Sequence, residues 1–148
     1  MYTVLIADDE AIVRMMLSSM IDWDEMELKL AGCVSNGREA LAYLEQHPVD
    51  ILITDIKMPF MDGLELSRLV KKALPDTKII ILSGYNEFDY AKEAITIGIS
   101  EYLLKPVTSA SLTAVLRKVR EEIREEKEKS RLLERYFVSY EQYNEFLD

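Results

Sequence analysis

The chain has 148 residues, which suits one domain of ordinary size with an appendage, and 49% of them are hydrophobic, enough to fill a core. Its formal net charge of -9 argues against a surface that grips nucleic acid by the phosphates. No apolar run approaches the ~20 residues that span a bilayer, and no signal peptide is visible. One cysteine, Cys33, excludes an internal disulfide, and these features together predict a cytoplasmic location.

In chain order, strand and helix patterns alternate. They predict a strand at residues 2–7, a helix at 11–21, a strand at 28–34, a helix through residues 40–44, a strand at 49–54, a helix at 64–74, a strand at 78–82, a helix at 90–97, a strand at 102–104 and a last helix from Ser109, capped by Thr108. The strands are continuous apolar runs, which is typical of parallel sheets buried on both faces. The pattern predicts an open, doubly wound α/β sheet with helices on both faces.

Three interpretations concern residues with a structural role. We expect Cys33 to be a small core residue, because free cysteine is usually buried. We expect the methionines of the first helix, such as Met16, to fill the core along with Ile12 rather than form a binding surface. His47, the only histidine, precedes Pro48 and is expected at the surface of a helix end.

Reactive side chains follow four of the predicted strands. They are Asp8 and Asp9 after the first, Asp55 after the third, Ser83 after the fourth and Lys105 after the fifth. In a doubly wound sheet, ligands bind beyond these carboxyl ends, so the side chains should converge. Three nearby carboxylates repel one another unless a cation is present, and an oxygen-rich site suits Mg²⁺. The lysine and the hydroxyl could hold an oxyanion, and a carboxylate beside Mg²⁺ can attack phosphorus.

Each of these features has an ordinary alternative when seen alone, namely a solvated turn, a helix cap or a loop. Their occurrence in order, at the correct strand ends, indicates a site. The sequence resembles the receiver domains of two-component response regulators over about residues 1–120. The segments that carry the resemblance are Val4-Leu5-Ile6-Ala7-Asp8-Asp9-Glu10, Asp50-Ile51-Leu52-Ile53-Thr54-Asp55-Ile56-Lys57-Met58-Pro59, Met61-Asp62-Gly63, Ile81-Leu82-Ser83-Gly84 and Tyr102-Leu103-Leu104-Lys105-Pro106.

The resemblance implies a flavodoxin-like sheet of strand order 2-1-3-4-5 and a phosphoryl group accepted on Asp55 from a sensor histidine kinase. It implies that Asp9 and Asp55 ligate Mg²⁺ directly, together with the backbone carbonyl of Lys57. Asp8 would act on the ion mainly through water. Such a protein is a switch rather than a metabolic enzyme, and catalyses only its own phosphotransfer and dephosphorylation.

The resemblance also implies the parts of the switch. Ser83 is similar to the hydroxyl that turns toward the phosphoryl group, and Tyr102 to the aromatic that then swings inward. Lys105 would pair with a phosphoryl oxygen, and its bond to Pro106 would be cis. Many relatives have threonine at the Ser83 position, so the rotamer of the shorter serine is less constrained.

Two further segments are similar to receivers of AraC-type regulators, which carry a helix-turn-helix DNA-binding region. They are Ile21-Asp22-Trp23 and Ser83-Gly84-Tyr85-Asn86-Glu87-Phe88-Asp89-Tyr90-Ala91. The resemblance implies transcriptional output through a domain absent from this chain, while the chain itself contacts no nucleic acid. Switching would bias the surface formed by residues 88–97, Tyr102 and the last helix.

The last helix is expected to continue far beyond a receiver. Alternating four- and three-residue steps connect Leu112, Leu116, Val119, Ile123, Glu126, Ser130, Leu133, Phe137 and Tyr140. We interpret residues 121–148 either as a solvated extension or as a coiled-coil-like linker that pairs two subunits. A homodimer would form through this helix or through the last strand-helix surface. A cluster of aromatic residues either needs a partner surface or forms an exposed patch: Tyr136, Phe137, Tyr140, Tyr143 and Phe146.

The residues also suggest three alternatives to a kinase-driven transcriptional switch. The chain could be a stand-alone receiver that acts by protein contact. It could be a Mg²⁺-dependent phosphohydrolase that forms an aspartyl-phosphate, but such enzymes have two aspartates separated by one residue, and Lys57 occupies the second position here. A degenerate receiver that takes no phosphate is disfavoured, because each functional position of the family is filled.

Overall fold

The computed structural model describes residues 1–84 and 88–147, without the side chains of 88, 138–140 and 142–147. Five strands alternate with five helices over these residues. They are β1 (Tyr2–Ala7), α1 (Ala11–Ser19), β2 (Leu28–Val34), α2 (Gly37–Gln46), β3 (Ile51–Asp55), α3 (Gly63–Ala73), β4 (Lys78–Ser83), α4 (Phe88–Ile97), β5 (Glu101–Leu104) and α5 (Ser109–Leu147). The chain divides into two units, residues 1–115 and 116–148, which are described separately.

The five strands form one parallel sheet in the order β2-β1-β3-β4-β5. The predicted doubly wound, flavodoxin-like fold is therefore confirmed. The three central strands are almost fully buried, because helices cover both of their faces. The edge strands β2 and β5 are only partly buried, so the prediction that all five strands are buried on both faces was wrong for these two.

Polar side chains start three of the helices. Asn36 accepts a hydrogen bond from the backbone N–H of Glu39, and Asp62 does the same for Glu65. The hydroxyl oxygen of Thr108 accepts from the backbone N–H of Ser111, 3.0 Å away. These bonds satisfy backbone donors that have no partner inside the helix. The predicted cap at Thr108 is therefore confirmed.

The first helix is shorter than predicted and ends at Ser19 rather than near residue 21. Ser18 and Ser19 turn their hydroxyls back onto carbonyls of the preceding turn. The indole N–H of Trp23 donates to the carbonyl oxygen of Ser18 at 2.8 Å. These bonds occupy backbone groups that another helical turn would need.

Three core assignments from the sequence were wrong. Cys33 is exposed, because it lies on the edge strand β2, and its sulfur is 3.2 Å from the hydroxyl oxygen of Ser18. Ile12 and Met16 are 66% and 53% exposed. Only Leu17 of α1 is fully buried, because the helix presents one narrow face to the sheet although its apolar residues surround more of its circumference.

The second unit consists of the C-terminal part of α5, which is helical through Leu147. Leu116, Val119 and Ile123 of this helix are at most 5% exposed. Of the predicted aromatic cluster, Tyr136 and Phe137 are exposed, whereas the side chains at positions 140, 143 and 146 lie outside those that the structure describes. Among the helices in residues 1–84 and 88–147, none combines the length and hydropathy of a membrane span.

Candidate functional site

The strand register brings the reactive residues to one edge of the sheet. Asp8 and Asp9 follow β1, and Asp55 ends β3 opposite Leu82 of β4. Carboxylate oxygens from these three aspartates lie within 4.8 Å of one another. Asp8 is fully buried, Asp55 is 8% exposed and Asp9 is exposed. The structure therefore forms an acidic cluster with one solvent-facing member.

Lys105 supplies the positive charge beside this cluster. Its Nζ is 3.2 Å from Oδ2 of Asp55 and 3.7 Å from Oδ2 of Asp8. Burial works against the charged form of the lysine, but the two carboxylates and the hydrogen bond that the lysine donates to Asp55 outweigh it and raise the pKa of Lys105. Lys105 therefore carries its charge throughout the neutral range. The peptide bond between Lys105 and Pro106 is cis.

The surroundings of Asp8 disfavour the charged form of its carboxyl group. Burial is the main cause that raises the pKa of its carboxyl group, and repulsion from Asp55 and Asp9 adds to it. The backbone N–H of Glu10 donates to Oδ1 of Asp8 at 2.9 Å, and Lys105 attracts the charge, but both effects are smaller than that of burial. Oδ2 of Asp8 is buried without any hydrogen-bond partner among the described residues. A buried carboxylate oxygen in this condition is stabilised by a cation.

These residues fit a hard divalent cation such as Mg²⁺. The donors are carboxylate oxygens, which this ion prefers, and the orphaned Oδ2 of Asp8 lies in the same cluster. Asp9 is open to solvent, which leaves room for the waters that Mg²⁺ keeps. Lys57, whose backbone carbonyl belongs to the predicted ligand set, follows β3 by two residues and has an exposed side chain.

The two predicted switch residues occupy neighbouring strands. Ser83 ends β4 and is fully buried, and its hydroxyl donates to the carbonyl oxygen of Gly84 at 3.2 Å. Its hydroxyl therefore has a backbone partner in the next residue of the chain. Tyr102 lies on β5 opposite Ile81 and is half-buried against the core. The segment at positions 85–87 that supported the AraC-type resemblance lies outside the described residues.

Two residues that support the site were not recognised from the sequence. Arg14 of α1 donates from Nη1 to the backbone carbonyl oxygen of Asp8 at 2.7 Å and so holds the acidic loop. Gly63 starts α3, and a Cβ at this position would lie 2.0 Å from the carbonyl oxygen of Asp55. An arginine one turn into the helix after an acidic run could have indicated the first role. The second depends on how closely the end of β3 and the start of α3 approach, which no local pattern reports.

The backbone around Asp55 is held tightly. Oδ1 of Asp55 accepts a hydrogen bond from the backbone N–H of Ile56 at 2.8 Å, and the hydroxyl of Thr54 donates to the carbonyl oxygen of Asp55 at 2.9 Å. The backbone N–H of Gly63 donates to the carbonyl oxygen of Ile56 at 2.6 Å, which binds α3 to the end of β3. Asp55 is therefore a fixed acidic group at the rim of a buried sheet.

Comparison with solved structures gives close matches. The receiver domain of AraT, a response regulator from Geobacillus stearothermophilus, is 42% identical with a TM-score of 0.81, and the match covers 85% of this chain and 98% of that one. A two-component transcriptional regulator AraC from Clostridium phytofermentans is 28% identical with a TM-score of 0.77, covering 87% and 99%. The second match agrees with the AraC-type resemblance seen in the sequence.

Curated relatives extend beyond this chain. The uncharacterized transcriptional regulatory protein YesN of Bacillus subtilis is 40% identical over 124 residues, which is 84% of this chain but 34% of that protein. The transcriptional regulatory protein HptR of Staphylococcus aureus is 40% identical over 116 residues, or 78% of this chain and 45% of that protein. The chain thus spans less than half the length of these relatives. Because residues 4–117 also match the family of response regulator receiver domains, this chain belongs to the receiver domains of two-component systems.

Proposed function

We propose that this receiver domain takes a phosphoryl group on Asp55 from a sensor histidine kinase and thereby switches a transcriptional output. The observation that carries the proposal is the convergence of three carboxylates and one ammonium group at the carboxyl edge of the sheet, with Lys105 Nζ 3.2 Å from Oδ2 of Asp55. Aspartyl-phosphates are an established class of covalent intermediate, and such a step needs a positioned carboxylate and nearby positive charge.

In the proposed step, a carboxylate oxygen of Asp55 attacks the phosphorus of the kinase's phosphohistidine. The P–N bond breaks, and its electron pair goes to the imidazole nitrogen. The ammonium group of Lys105 would then pair with a phosphoryl oxygen by a charge-assisted hydrogen bond. The hydrogen bonds that the backbone around Asp55 makes with Thr54 and Gly63 keep the attacking group in place.

Mg²⁺ would be held by Asp9 and Asp55 directly, with the backbone carbonyl of Lys57, and by Asp8 mainly through water. When bound, the ion would neutralise charge on the transferring phosphoryl group. Asp8 supports this part of the proposal, because its orphaned Oδ2 and raised pKa mark a buried carboxylate that lacks sufficient positive charge. Arg14 positions Asp8 through the backbone and does not need to touch the ion.

Phosphorylation would change the edge of β4 and β5. Ser83 would exchange its bond to the carbonyl oxygen of Gly84 for one to a phosphoryl oxygen, and Tyr102 would then turn inward from its half-buried position. The resulting change at α4, β5 and α5 would pass to a DNA-binding region outside this chain. In this division, residues 1–120 are the receiver and residues 121–148 are the linker, and the protein works in the cytoplasm.

The proposal is tested by intact mass spectrometry after incubation with acetyl phosphate, with and without Mg²⁺. The wild type should gain one phosphoryl group only when Mg²⁺ is present. Asp55→Asn should gain none, whereas Asp62→Asn, which keeps an oxygen that can cap α3, should behave like the wild type. A second assay with a phosphorylated histidine kinase would test the natural donor.

Failure has a clear signature. If the folded wild type gains no phosphoryl group from acetyl phosphate or from any histidine kinase, Asp55 is not an acceptor and the switch proposal is wrong. If Asp55→Asn is still labelled, another residue takes the group. Far-ultraviolet circular dichroism of each variant checks that loss of labelling is not loss of fold.

A further inference from the structure

The described end of α5 carries an exposed apolar surface. Leu133, Tyr136 and Phe137 are 50%, 66% and 59% exposed, and their spacing places all three on one side of the helix. The rings of Tyr136 and Phe137 meet edge to face, with centroids 6.0 Å apart. Three large apolar side chains side by side on a solvated helix are typical of a contact surface.

The apolar residues spaced by alternating three- and four-residue steps along α5 become more exposed toward its C-terminal end. Its first members, among them Val119 and Ile123, are buried, whereas Leu133 and Phe137 lie at least half in solvent. The alternating steps make Ile123, Ser130 and Phe137 the a positions of a heptad repeat. Glu126 and Leu133 then occupy the d positions. The a and d positions form a seam along α5. The exposed half of this seam has the spacing of one helix of a coiled coil.

The charges beside the seam identify the partner. In this register Glu122 and Lys129 are at g positions, and Lys127 and Glu134 are at e positions. In a parallel, in-register pair of helices, each g residue faces the e residue five positions further along the other helix. Glu122 would therefore face Lys127 of a second copy, and Lys129 would face Glu134. Both contacts join opposite charges, and twofold symmetry makes each of them twice.

We propose that residues 122–137 of α5 pair with the same segment of a second copy of this chain as a parallel coiled coil. Leu133 and Phe137 form its apolar layers, and the two charge pairs set its register. Glu126 and Ser130 face their own counterparts at a d and an a position, so the seam is weak there and the apolar contact begins at Leu133. The proposal selects one of the two dimer surfaces expected from the sequence. It rests on the proposed function only for its role in signalling, and the pairing itself is independent of Asp55.

The first test uses two adjacent leucines as a matched pair in the full 148-residue chain. Leu133 occupies the seam, whereas Leu132 occupies the outward c position and is about as exposed. Sedimentation velocity over a range of concentrations should show a dimer for the wild type and for Leu132→Glu, and a monomer for Leu133→Glu. A wild type that stays monomeric at every concentration overturns the proposal, and so does a Leu133→Glu variant that dimerises like Leu132→Glu.

The second test examines register and direction through charge. Lys129→Glu replaces two attractive contacts with two repulsive ones and should raise the dimer dissociation constant by about tenfold. Adding Glu134→Lys restores opposite charges only in the parallel register, so the double variant should recover wild-type dimerisation. Arg135→Glu makes the same change of charge at the outward f position and should leave the dissociation constant within about twofold.

The outcomes separate the orientations and the two proposals. In an antiparallel pair, Lys129 would face Tyr136 and Lys127 would face Glu134, so Lys129→Glu would have little effect and the double variant would dimerise less well. That result overturns the parallel pairing. Asp55→Asn is expected to dimerise like the wild type, and Leu133→Glu to accept a phosphoryl group like the wild type. Failure of either proposal is therefore visible without the other.

Discussion

The edge of the sheet and the charged stretch of α5 both pair acidic with basic side chains, but they differ in burial. At the edge, Asp8 and Asp55 face one ammonium group, that of Lys105, at distances of 3.2 to 3.7 Å. In α5, Arg124 lies 3.0 Å from Glu121, an even shorter separation. The side chains of Asp8 and Asp55 are 1% and 11% exposed, but those of Arg124 and Glu121 are 41% and 50% exposed.

Burial, rather than distance, therefore decides how strongly these charged side chains interact. Water screens the exposed pair of α5, and such pairs contribute little to stability. At the sheet edge, low polarisability strengthens both the attraction to Lys105 and the repulsion among the aspartates. The pKa of Asp8 is raised for this reason. The charges at the sheet edge are therefore unbalanced in a way that a cation or a phosphoryl group can change, whereas in the proposed pairing of α5 the charges select the partner.

The largest expected effect comes from breaking the backbone that supports the site. Gly63→Ala would place a Cβ 2.0 Å from the carbonyl oxygen of Asp55, so α3 or the end of β3 must move. We expect a loss of about 3 kcal/mol in the free energy of unfolding and loss of labelling at Asp55. Gly32→Ala is the control, because its Cβ would meet only ordinary contacts near 3.9 Å. Urea titration measures both, and equal losses would show that the close approach is unimportant.

Removal of the positive charge of Lys105 should have the next largest effect. Lys105→Met leaves the carboxylates of Asp8 and Asp55 without their ammonium partner, and we expect a loss of about 2 kcal/mol without Mg²⁺. Lys105→Arg keeps the charge and should lose less than half as much. Thermal melts with and without Mg²⁺ provide the measurement, because added Mg²⁺ should restore part of the lost stability. An unchanged melting temperature in Lys105→Met would mean that the acidic cluster does not need the ammonium group of Lys105.

A gain in the free energy of unfolding, rather than a loss, is expected when the buried carboxylate of Asp8 is removed. Asp8→Asn can keep the bond from the backbone N–H of Glu10 while removing the repelled charge, so the free energy of unfolding without metal should rise by about 1 kcal/mol at neutral pH. The same variant should lose most of the stabilisation that Mg²⁺ gives the wild type. Asp9→Asn, at the exposed position, should change stability without metal less.

The pH dependence of this difference follows from linkage. Because the folded-state pKa of Asp8 is raised above 3.8, its contribution to stability is fully present below pH 3.8 and is lost as the pH rises through the raised pKa. Asp8→Asn lacks this term. The stability advantage of the variant should therefore grow as the pH rises through that window, measured by urea titration without metal. An advantage that shrinks with rising pH would contradict the assignment to Asp8.

The smallest effect is expected in α5. Arg124→Gln removes the ion pair with Glu121 and should change the free energy of unfolding by less than about 0.5 kcal/mol. The effect should also fall as salt is added, since the pair is exposed. Urea titrations at low and high ionic strength measure both points. A loss as large as that of Lys105→Met would show that distance outweighs burial after all, and would remove the contrast between the two regions.

Much of the fold was predictable because its signals are local. Continuous apolar runs in β1, β3 and β4 indicated a parallel sheet, and Thr108 was recognised as the start of α5. The core was predicted less well on α1 and β2. Ile12, Met16 and Cys33 are apolar or weakly polar and fit a buried pattern, but a residue's hydrophobicity does not say whether another element covers it.

The parallel α/β fold and the order of the reactive residues along the chain follow from the sequence alone. These depend on periodicity and on position relative to strand ends, which are properties of short segments. Three features became visible only in the folded chain. They are the raised pKa of Asp8, the hydrogen bond that Arg14 donates to the carbonyl oxygen of Asp8, and the close approach of Gly63 to Asp55. Each of these arises where different elements meet in the folded chain, because burial and packing there set the strength of a charge or the space for a side chain.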